Sequence, residues 1–241
     1  MKKTLSVVFV FILFASISYS AEVYIQQKSH TDAVEMMGQS QPARDDINHI
    51  WLGKDKMATH GKDQSVIIKL NDNKMYWVNH QNKTYVEMDL PLDMSQYFPP
   101  QFSQMMSNIS VKVTPTGEKK KIGDWNCTGY DVDMTIMMMN QKQKIWASTD
   151  VPFDWKNYTE KMLPELIQST MFLNEESAKE FMKIKGFQIR TESVMNVMGT
   201  DIKSSSEVVE ITKKNAPAGT FTPPSDYEKK DKFSMQDMQR R

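Results

Sequence analysis

A run of short β-forming segments, joined by tight polar turns across residues 45–90, constrains the fold of this chain more than any other feature. Short apolar runs bounded by Asn, Asp and Gly are typical of antiparallel hairpins. The segments at 65–70, 74–79 and 83–89 follow this pattern. Both faces of the middle segment carry apolar or aromatic side chains, because successive strand residues point in opposite directions. We therefore expect a strand that is covered on both sides, either by protein or by an apolar ligand.

The first twenty residues have the pattern of a secretory signal peptide. Two lysines precede an apolar stretch at 5–15, and Ser18 and Ser20 are the small residues expected before a cleavage site at Ala21. The apolar stretch is too short to span a membrane. We expect an exported, periplasmic protein that is soluble once residues 1–20 are removed. A retained N-terminal anchor is the alternative.

Charge and hydropathy argue against several classes of partner. The chain has 30 Lys and Arg residues and 30 Asp and Glu residues, so no basic field favours nucleic acid or an anionic membrane surface. Beyond residue 20, no stretch approaches 18 consecutive apolar residues, and we expect no integral membrane span in the mature chain. An apolar ligand or an acyl chain fits this composition better than a polyanion does.

The sequence contains none of the common motifs of serine hydrolases, zinc proteases, P-loop proteins or dinucleotide-binding proteins. No two of the four histidines have a metal-ligand spacing, and Asp131 and Asp133 fall on the predicted solvent face of a strand. Cys127, the one cysteine, cannot form an internal disulfide and is expected to be buried and inert. We therefore predict a protein that is not an enzyme and that has no cofactor and no metal site.

Methionine is unusually frequent, with 20 residues, and thioethers are soft ligands that suit Cu(I). The candidates for copper binding are Met36-Met37, Met105-Met106, Met137-Met138-Met139 and Met195 with Met198. Adjacent strand residues point to opposite faces, however, so a doublet alone is a poor chelate. A Met-rich copper-binding protein is thus an alternative to the simpler interpretation, in which flexible methionines fill an adaptable apolar surface.

Two segments have helical rather than strand periodicity. The first covers 94–109 with a break at Pro99-Pro100, and the second covers 155–183 with Pro164 inside it. Both are apolar on one side, so each must pack on something apolar. The prolines are expected to kink or divide these helices, which would lower their local stability.

Residues 125–139 are predicted to form a long strand that turns into the next one at Asn140-Gln141. Alternation gives this strand one inward face and one wet face. The inward face carries Tyr130, Val132, Met134, Ile136 and Met138. The wet face begins with Asp131, Asp133 and Thr135.

Five motifs stand out along the chain: WLGKDKM at 51–57, SVIIKL at 65–70, KMYWVNH at 74–80, GDWNCTGY at 123–130 and APAGTFTPPSDY at 216–227. Together they resemble an uncharacterised family of exported bacterial proteins, catalogued as a domain of unknown function. That family is similar to the periplasmic lipoprotein carrier LolA and its receptor LolB, and the resemblance covers about 21–230.

The resemblance implies an α+β fold, a half-open antiparallel β-barrel whose concave apolar face is covered by helical lid segments. A cavity of this kind binds acyl chains or other apolar ligands. One departure concerns the arginine that ties the lid to the barrel in LolA. The matching region here reads Lys56-Met57 and lacks that arginine, so lipoprotein carriage would need a different contact between lid and barrel.

These observations predict a single LolA-like domain at 21–227, followed by a proline-rich arm and a disordered tail at 228–241. The expected cavity floor is the inward face of the long strand. The expected lid contacts are Phe102, Met105, Met106, Met162 and Leu166. The function expected is non-enzymatic binding of an acyl chain, lipid or lipoprotein. A structural or interaction module of the cell envelope, with helices that simply fill the barrel, is the alternative.

Overall fold

The structure is a computed structural model that describes residues 22–36, 39–99, 109–136, 139–170, 173, 175–197 and 199–233. The described part is mostly β. Its strands are β1 (Glu22–Thr31), β2 (Val34–Met36), β3 (Gln39–Gln41), β4 (Arg44–Leu52), β5 (Lys56–His60), β6 (Gln64–Lys69), β7 (Lys74–Asn79), β8 (Thr84–Asp89), β9 (Ile109–Ile122), β10 (Trp125–Ile136), β11 (Met139–Ser148), β12 (Phe187–Val197), β13 (Thr200–Lys214) and β14 (Glu228–Lys230). The helices are α1 (Met94–Tyr97), α2 (Trp155–Asn157), α3 (Leu163–Thr170) and α4 (Glu175–Phe181), with a π turn at Tyr158–Met162.

Twelve of these strands form one sheet, in the order β14-β8-β7-β6-β5-β4-β1-β13-β12-β11-β10-β9. The first strand lies in the middle and pairs with β13 on one side and β4 on the other. Two series of hairpins run from there to the edges. Neighbours are antiparallel, except that β14 runs parallel to β8. The prediction of a β-rich antiparallel domain with helical segments is confirmed at this level.

The hairpins predicted at 65–89 are confirmed as β6, β7 and β8, which pair in register. Asn73 and Lys83 both have φ 51°, the left-handed conformation that closes these short turns. Asparagine adopts this conformation more readily than most residues, which explains why polar Asn-containing turns end the strands.

Alternating residues enter different apolar clusters, so both faces of the sheet are covered in this half. The central cluster includes Val23, Ile25, Leu52, Ile68, Met75, Met88, Trp125, Cys127, Met162, Leu166 and Phe187. The arm cluster consists of Tyr24, Trp51, Ala58, Ile67 and Val78. In β7, Met75 and Trp77 pack in the central cluster, whereas Tyr76 and Val78 pack in the arm cluster. Protein therefore covers both sides of the strand for which two apolar faces were predicted.

The arm cluster is covered by the C-terminal arm, which we define as residues 215–230. Ala216, Phe221 and Tyr227 pack on it, and the Lys56 ammonium lies 4.2 Å from the centre of the Phe221 ring. The N–H of Ala216 donates to the Glu22 carboxylate at 3.2 Å. The arm thus returns across the sheet after β13 and ends as an edge strand.

The second helical segment divides at a π turn rather than at a sharp kink. The N–H of Leu163 donates to the carbonyl of Tyr158, five residues earlier. Pro164 follows directly and has no N–H to donate. A π turn changes the hydrogen-bond register at the point where proline would otherwise interrupt the helix. The segment therefore continues as α3 after the turn.

The exposed edge of β9 is sealed by helix α4. The Ser177 hydroxyl accepts from the N–H of Val111 and donates to the carbonyl of Ile109, both at 3.2 Å. The Glu180 carboxylate accepts from the N–H of Val113 at 2.8 Å. These bonds occupy backbone groups that an edge strand would otherwise offer to another chain.

The structure corrects three boundaries. Ile109, predicted at the end of a helix, begins β9. Asn140 and Gln141, predicted to form a turn, lie within β11 and pair with Thr135 and Met134. Residues 228–233 were assigned to the disordered tail, but 228–230 form β14, and Phe233 is buried against Phe98 at a ring distance of 4.5 Å. Composition alone underestimated this segment because a few aromatic side chains suffice to anchor it.

Candidate functional site

The three predicted floor residues whose side chains the structure describes, Tyr130, Val132 and Met134, lie under helix α4 in a distal cluster. This cluster comprises Ile109, Val111, Val113, Tyr130, Val132, Ile145, Ala147 and Ile184, with Met134, Leu173 and Phe181 packed against it. The Tyr130 hydroxyl accepts from the N–H of Lys185 at 3.1 Å. Tyr130 and Val132 are buried whereas Asp131 and Asp133 are exposed, so the predicted alternation is confirmed over 130–133; Met134 and Thr135 are both half-buried. Protein side chains occupy the space above these floor positions.

The two predicted lid residues that the structure describes lie elsewhere. Met162 and Leu166 are buried in the central cluster, so the structure does not bring them together with Tyr130 and Val132. The side chain of Ile136 lies outside the described residues. The same is true of Met138, Phe102, Met105 and Met106. Of the described candidates, Met162 does line a cavity, as follows.

An open cleft of about 470 Å³ lies between the sheet and the second helical segment. Its walls include Val23 and Leu52 from the sheet, and Phe153, Tyr158 and Met162 from the segment. The mouth is polar and of mixed charge. It carries Glu22, Lys54, Asp55, Lys56, Asp154 and Lys213, of which Lys56 and Glu22 form an ion pair at 3.1 Å.

A second, more enclosed cavity of about 240 Å³ lies beneath the same helical segment. It is lined by Gln27, Ile50, Leu52, Met57, Thr59, Tyr158, Leu163, Ile184, Gly186, Phe187 and Gln188. None of these described lining residues is charged. The cavity is therefore suited to an uncharged, mainly apolar group.

Leu52 and Tyr158 border both spaces. Burial raises the pKa of Tyr158 to about 12, so its phenol stays neutral at physiological pH. We define the apolar groove as the two spaces together with this shared pair. The groove combines a cleft that has charged residues in its lining with a cavity whose described lining residues are uncharged.

Sequence reasoning missed most residues of the groove. Ile50, Trp51 and Leu52 form an apolar triplet, which indicates a strand buried on both faces. That signal was present, but it predicts a buried strand and not a ligand site. Phe187 could not be found in this way. Its ring centre lies 5.3 Å from that of Tyr158, and this contact depends on long-range packing.

The structure places several metal-ligating and thiol side chains in the part of the chain that it describes. No group of three or more His, Cys, Asp and Glu side chains there could hold a metal ion. Cys127 is 2% exposed, and burial raises the pKa of its thiol to about 11. Most of the methionines considered for copper lie outside the described side chains; Met139 and Met195 do not.

A profile of the family described as "domain of unknown function (DUF4412)" matches residues 28–227, which is most of the chain. The chain belongs to this family. The DUF4412 match begins within β1 and ends at Tyr227, so it includes most of the arm and most of the groove. A search of curated proteins found no match. The similarity of this DUF4412 chain to LolA stays a hypothesis, because the family match does not extend to that carrier.

Among its described residues, the DUF4412 chain has no helix that is both long enough and apolar enough to cross a membrane.

Proposed function

We propose that this protein is an exported, periplasmic, non-enzymatic binding protein that holds the acyl chain of a lipid or lipoprotein in the apolar groove. The observation that carries the proposal is the charge-free cavity of about 240 Å³ beside an open cleft of about 470 Å³. Ligand sites of small molecules typically have volumes of about 300–1,000 Å³ and mostly apolar walls. The head group of such a ligand would lie in the charged mouth.

The finer fold that belongs to this proposal is a half-open barrel of the LolA type. In it, the concave side of the sheet faces the helical segment, which acts as a lid. The π turn at 158–162 and Pro164 support this role, since both weaken the regular hydrogen bonding of the helix there. Elements that must open and close come from the less stable parts of a fold.

A structural module of the cell envelope is a second candidate, and one observation favours it. The predicted floor is filled, because Phe181 and Ile184 pack on Tyr130 and Val132. If the groove were equally closed in solution, the helices would serve only to complete the core. Ligand binding at the groove separates the two candidates.

The experiment is a titration of the purified mature protein with a fluorescent fatty acid. Ile50→Glu places a charge in the enclosed cavity, whereas Ile47→Glu, on the same strand, replaces a side chain that is already 45% exposed. We expect saturable binding by the native protein and by Ile47→Glu, and loss of binding in Ile50→Glu. Met134→Glu, at the originally predicted floor, should still bind.

Circular dichroism of each variant controls for unfolding. If the native protein binds no fatty acid at any concentration below the micelle limit, the binding function is wrong and the structural module is favoured. If Ile50→Glu binds as tightly as Ile47→Glu, the groove is not the site.

A further inference from the structure

Two histidines fasten the C-terminal arm to the sheet through a continuous chain of hydrogen bonds. Tyr227 lies 3.0 Å from His80 Nδ1, and His80 Nε2 lies 2.7 Å from the Ser65 hydroxyl. The same hydroxyl lies 2.9 Å from His60 Nδ1. His60 Nε2 lies 3.0 Å from the carbonyl oxygen of Thr220. We call these five residues the arm relay. It begins and ends on the arm and passes through the sheet between.

The direction of every hydrogen bond in the arm relay is fixed by its last member. A carbonyl oxygen only accepts, so His60 Nε2–H donates to Thr220. In a neutral imidazole the other nitrogen accepts, so the Ser65 hydroxyl donates to His60 Nδ1. Ser65 in turn accepts from His80 Nε2–H. His80 Nδ1 is then left to accept from the Tyr227 hydroxyl. In this arrangement both imidazoles are neutral. A proton on one of them can be accommodated, because both hydroxyls can also accept, but protons on both leave the Ser65 hydroxyl hydrogen without an acceptor in the relay.

Partial burial favours the neutral form of both histidines. Ser65 is 2% exposed and Thr220 is also buried, whereas His60, His80 and Tyr227 are half-buried. Burial lowers the pKa of His60 below its usual value; the hydrogen bond to the Thr220 carbonyl opposes this shift, and the neighbouring His80 and His49 add to it. Burial also lowers the pKa of His80, partly opposed by the carboxylate of Asp63.

Other charged groups around the relay do not replace it. Asp63 is held by Arg44 at 2.5 Å, and its own pKa is lowered by hydrogen bonds from Gln81 and Arg44. His49 accepts or donates to the Tyr24 hydroxyl at 2.7 Å. On the arm side, Asp226 pairs with Lys83 at 3.6 Å, and both are exposed. Exposed ion pairs contribute little. The relay and the backbone pairing of β14 with β8 are therefore the main polar attachments of the arm at this end.

We propose that the arm is an acid-released strap: protonation of His60 and His80 breaks the relay and frees residues 215–230 from the sheet. With a proton on each imidazole, His60 Nδ1 and His80 Nε2 both donate to the Ser65 hydroxyl, whose own hydrogen then has no acceptor in the relay, and two positive charges flank one buried serine. Release would uncover the arm cluster and the edge of β8, to which β14 is paired. This device is independent of ligand binding in the groove.

The sign of the pH dependence follows from linkage. Both histidines have lowered pKa values in the folded protein, so the released arm binds protons more readily than the docked arm does. Docking is therefore complete above the ordinary histidine value of about 6.5, and it weakens as pH falls below that value.

The test is hydrogen–deuterium exchange of the full chain from pH 7.5 to 4.5, corrected for the intrinsic effect of pH on exchange. For each histidine that takes up a proton on release, protection of the arm peptide 215–233 should fall by up to about tenfold per pH unit between the histidine pKa in the released state, about 6.5, and its lower pKa in the docked state. Protection of the peptide 139–148, which is strand β11, should stay unchanged over the same pH range.

His80→Gln removes one titrating group, so its arm protection should depend less on pH than that of the native protein. His30→Gln is the matched control, because His30 is bound to Asp45 and Asp32 at the surface and lies outside the relay. It should behave as the native protein does. The proposal is overturned if arm protection in the native protein does not change with pH, or if the arm and the β11 peptide lose protection together. A variant His30→Gln that flattens the profile as much as His80→Gln also overturns it.

Discussion

The hydroxyl of Tyr227 lies 3.0 Å from Nδ1 of His80, although 147 residues separate the two in the chain. Their rings also meet edge to face at 5.7 Å. This pair joins the last residue matched by the family to the turn between β7 and β8. The C-terminal arm is therefore part of the folded domain rather than an extension of it.

Removal of the Tyr227 hydroxyl tests this attachment. Tyr227→Phe keeps the ring but leaves His80 Nδ1 without its donor, which should cost about 1–3 kcal/mol of arm docking. Limited proteolysis of the arm at pH 7.5 should be faster in the variant, with the rest of the domain still resistant. Tyr85→Phe, which keeps its ring in the same apolar cluster without a bond to the relay, is the control. Equal cleavage rates in both variants would contradict the role of the hydroxyl.

Ser177 is predicted to stabilise the edge of β9. Ser177→Ala removes the acceptor of the Val111 N–H and the donor to the Ile109 carbonyl, so two buried backbone groups lose a partner. We expect a loss of about 1–3 kcal/mol in the free energy of unfolding by urea. Lys179→Ala on the same helix removes an exposed ion pair with Glu175 and should leave the midpoint almost unchanged. If the two variants unfolded alike, Ser177 would not protect the strand edge.

Gly186 should tolerate no larger side chain. It has φ +100°, and a Cβ there would collide with the backbone carbonyl of Ser148. Gly186→Ala is expected to cost roughly 3 kcal/mol or more, because the clash adds to the backbone strain. Gly199, with φ +84° and open space around it, supplies the comparison. Gly199→Ala should cost only about 1 kcal/mol. Thermal unfolding of both variants measures the difference, and similar melting temperatures would refute it.

Cys127 is predicted to be unreactive in the folded protein. Its pKa of about 11 leaves few thiolates at neutral pH, and its side chain is buried. A thiol reagent should label it only at the rate of unfolding, and labelling should become fast in denaturant. Cys127→Ala should cost about 1 kcal/mol through lost packing. Rapid labelling without denaturant would show that the site opens.

The hairpins were predictable because their information is local. Residues 65–89 carry both the alternation and the Asn-containing turns that define β6, β7 and β8. The alternation of Tyr130, Asp131 and Val132 was predictable for the same reason. What packs on each face was not, because that depends on where later segments of the chain return.

The groove and the relay show this second kind of information. Leu52, on β4, and Tyr158 border the same cavities. They do so because β1 pairs with both β4 and β13, and because residues after Ser148 fold back over the sheet. The spacing of His60 and His80 in the sequence predicts no shared site. Thr220, the partner of His60, lies 160 residues after it. The composition of residues 228–241 predicted a disordered tail. Instead, β14 pairs with β8, and Phe233 packs on Phe98.

The most direct test of the account locates an apolar chain in the molecule. A fatty acid with a nitroxide near its methyl end would be added to protein with labelled methyl groups, and line broadening measured by NMR. We predict strong broadening of the Ile50, Leu52 and Met57 methyl signals, and little at Val132 and Met134. Broadening centred on Val132 and Met134, or equal broadening at all methyl groups, would contradict binding in the apolar groove.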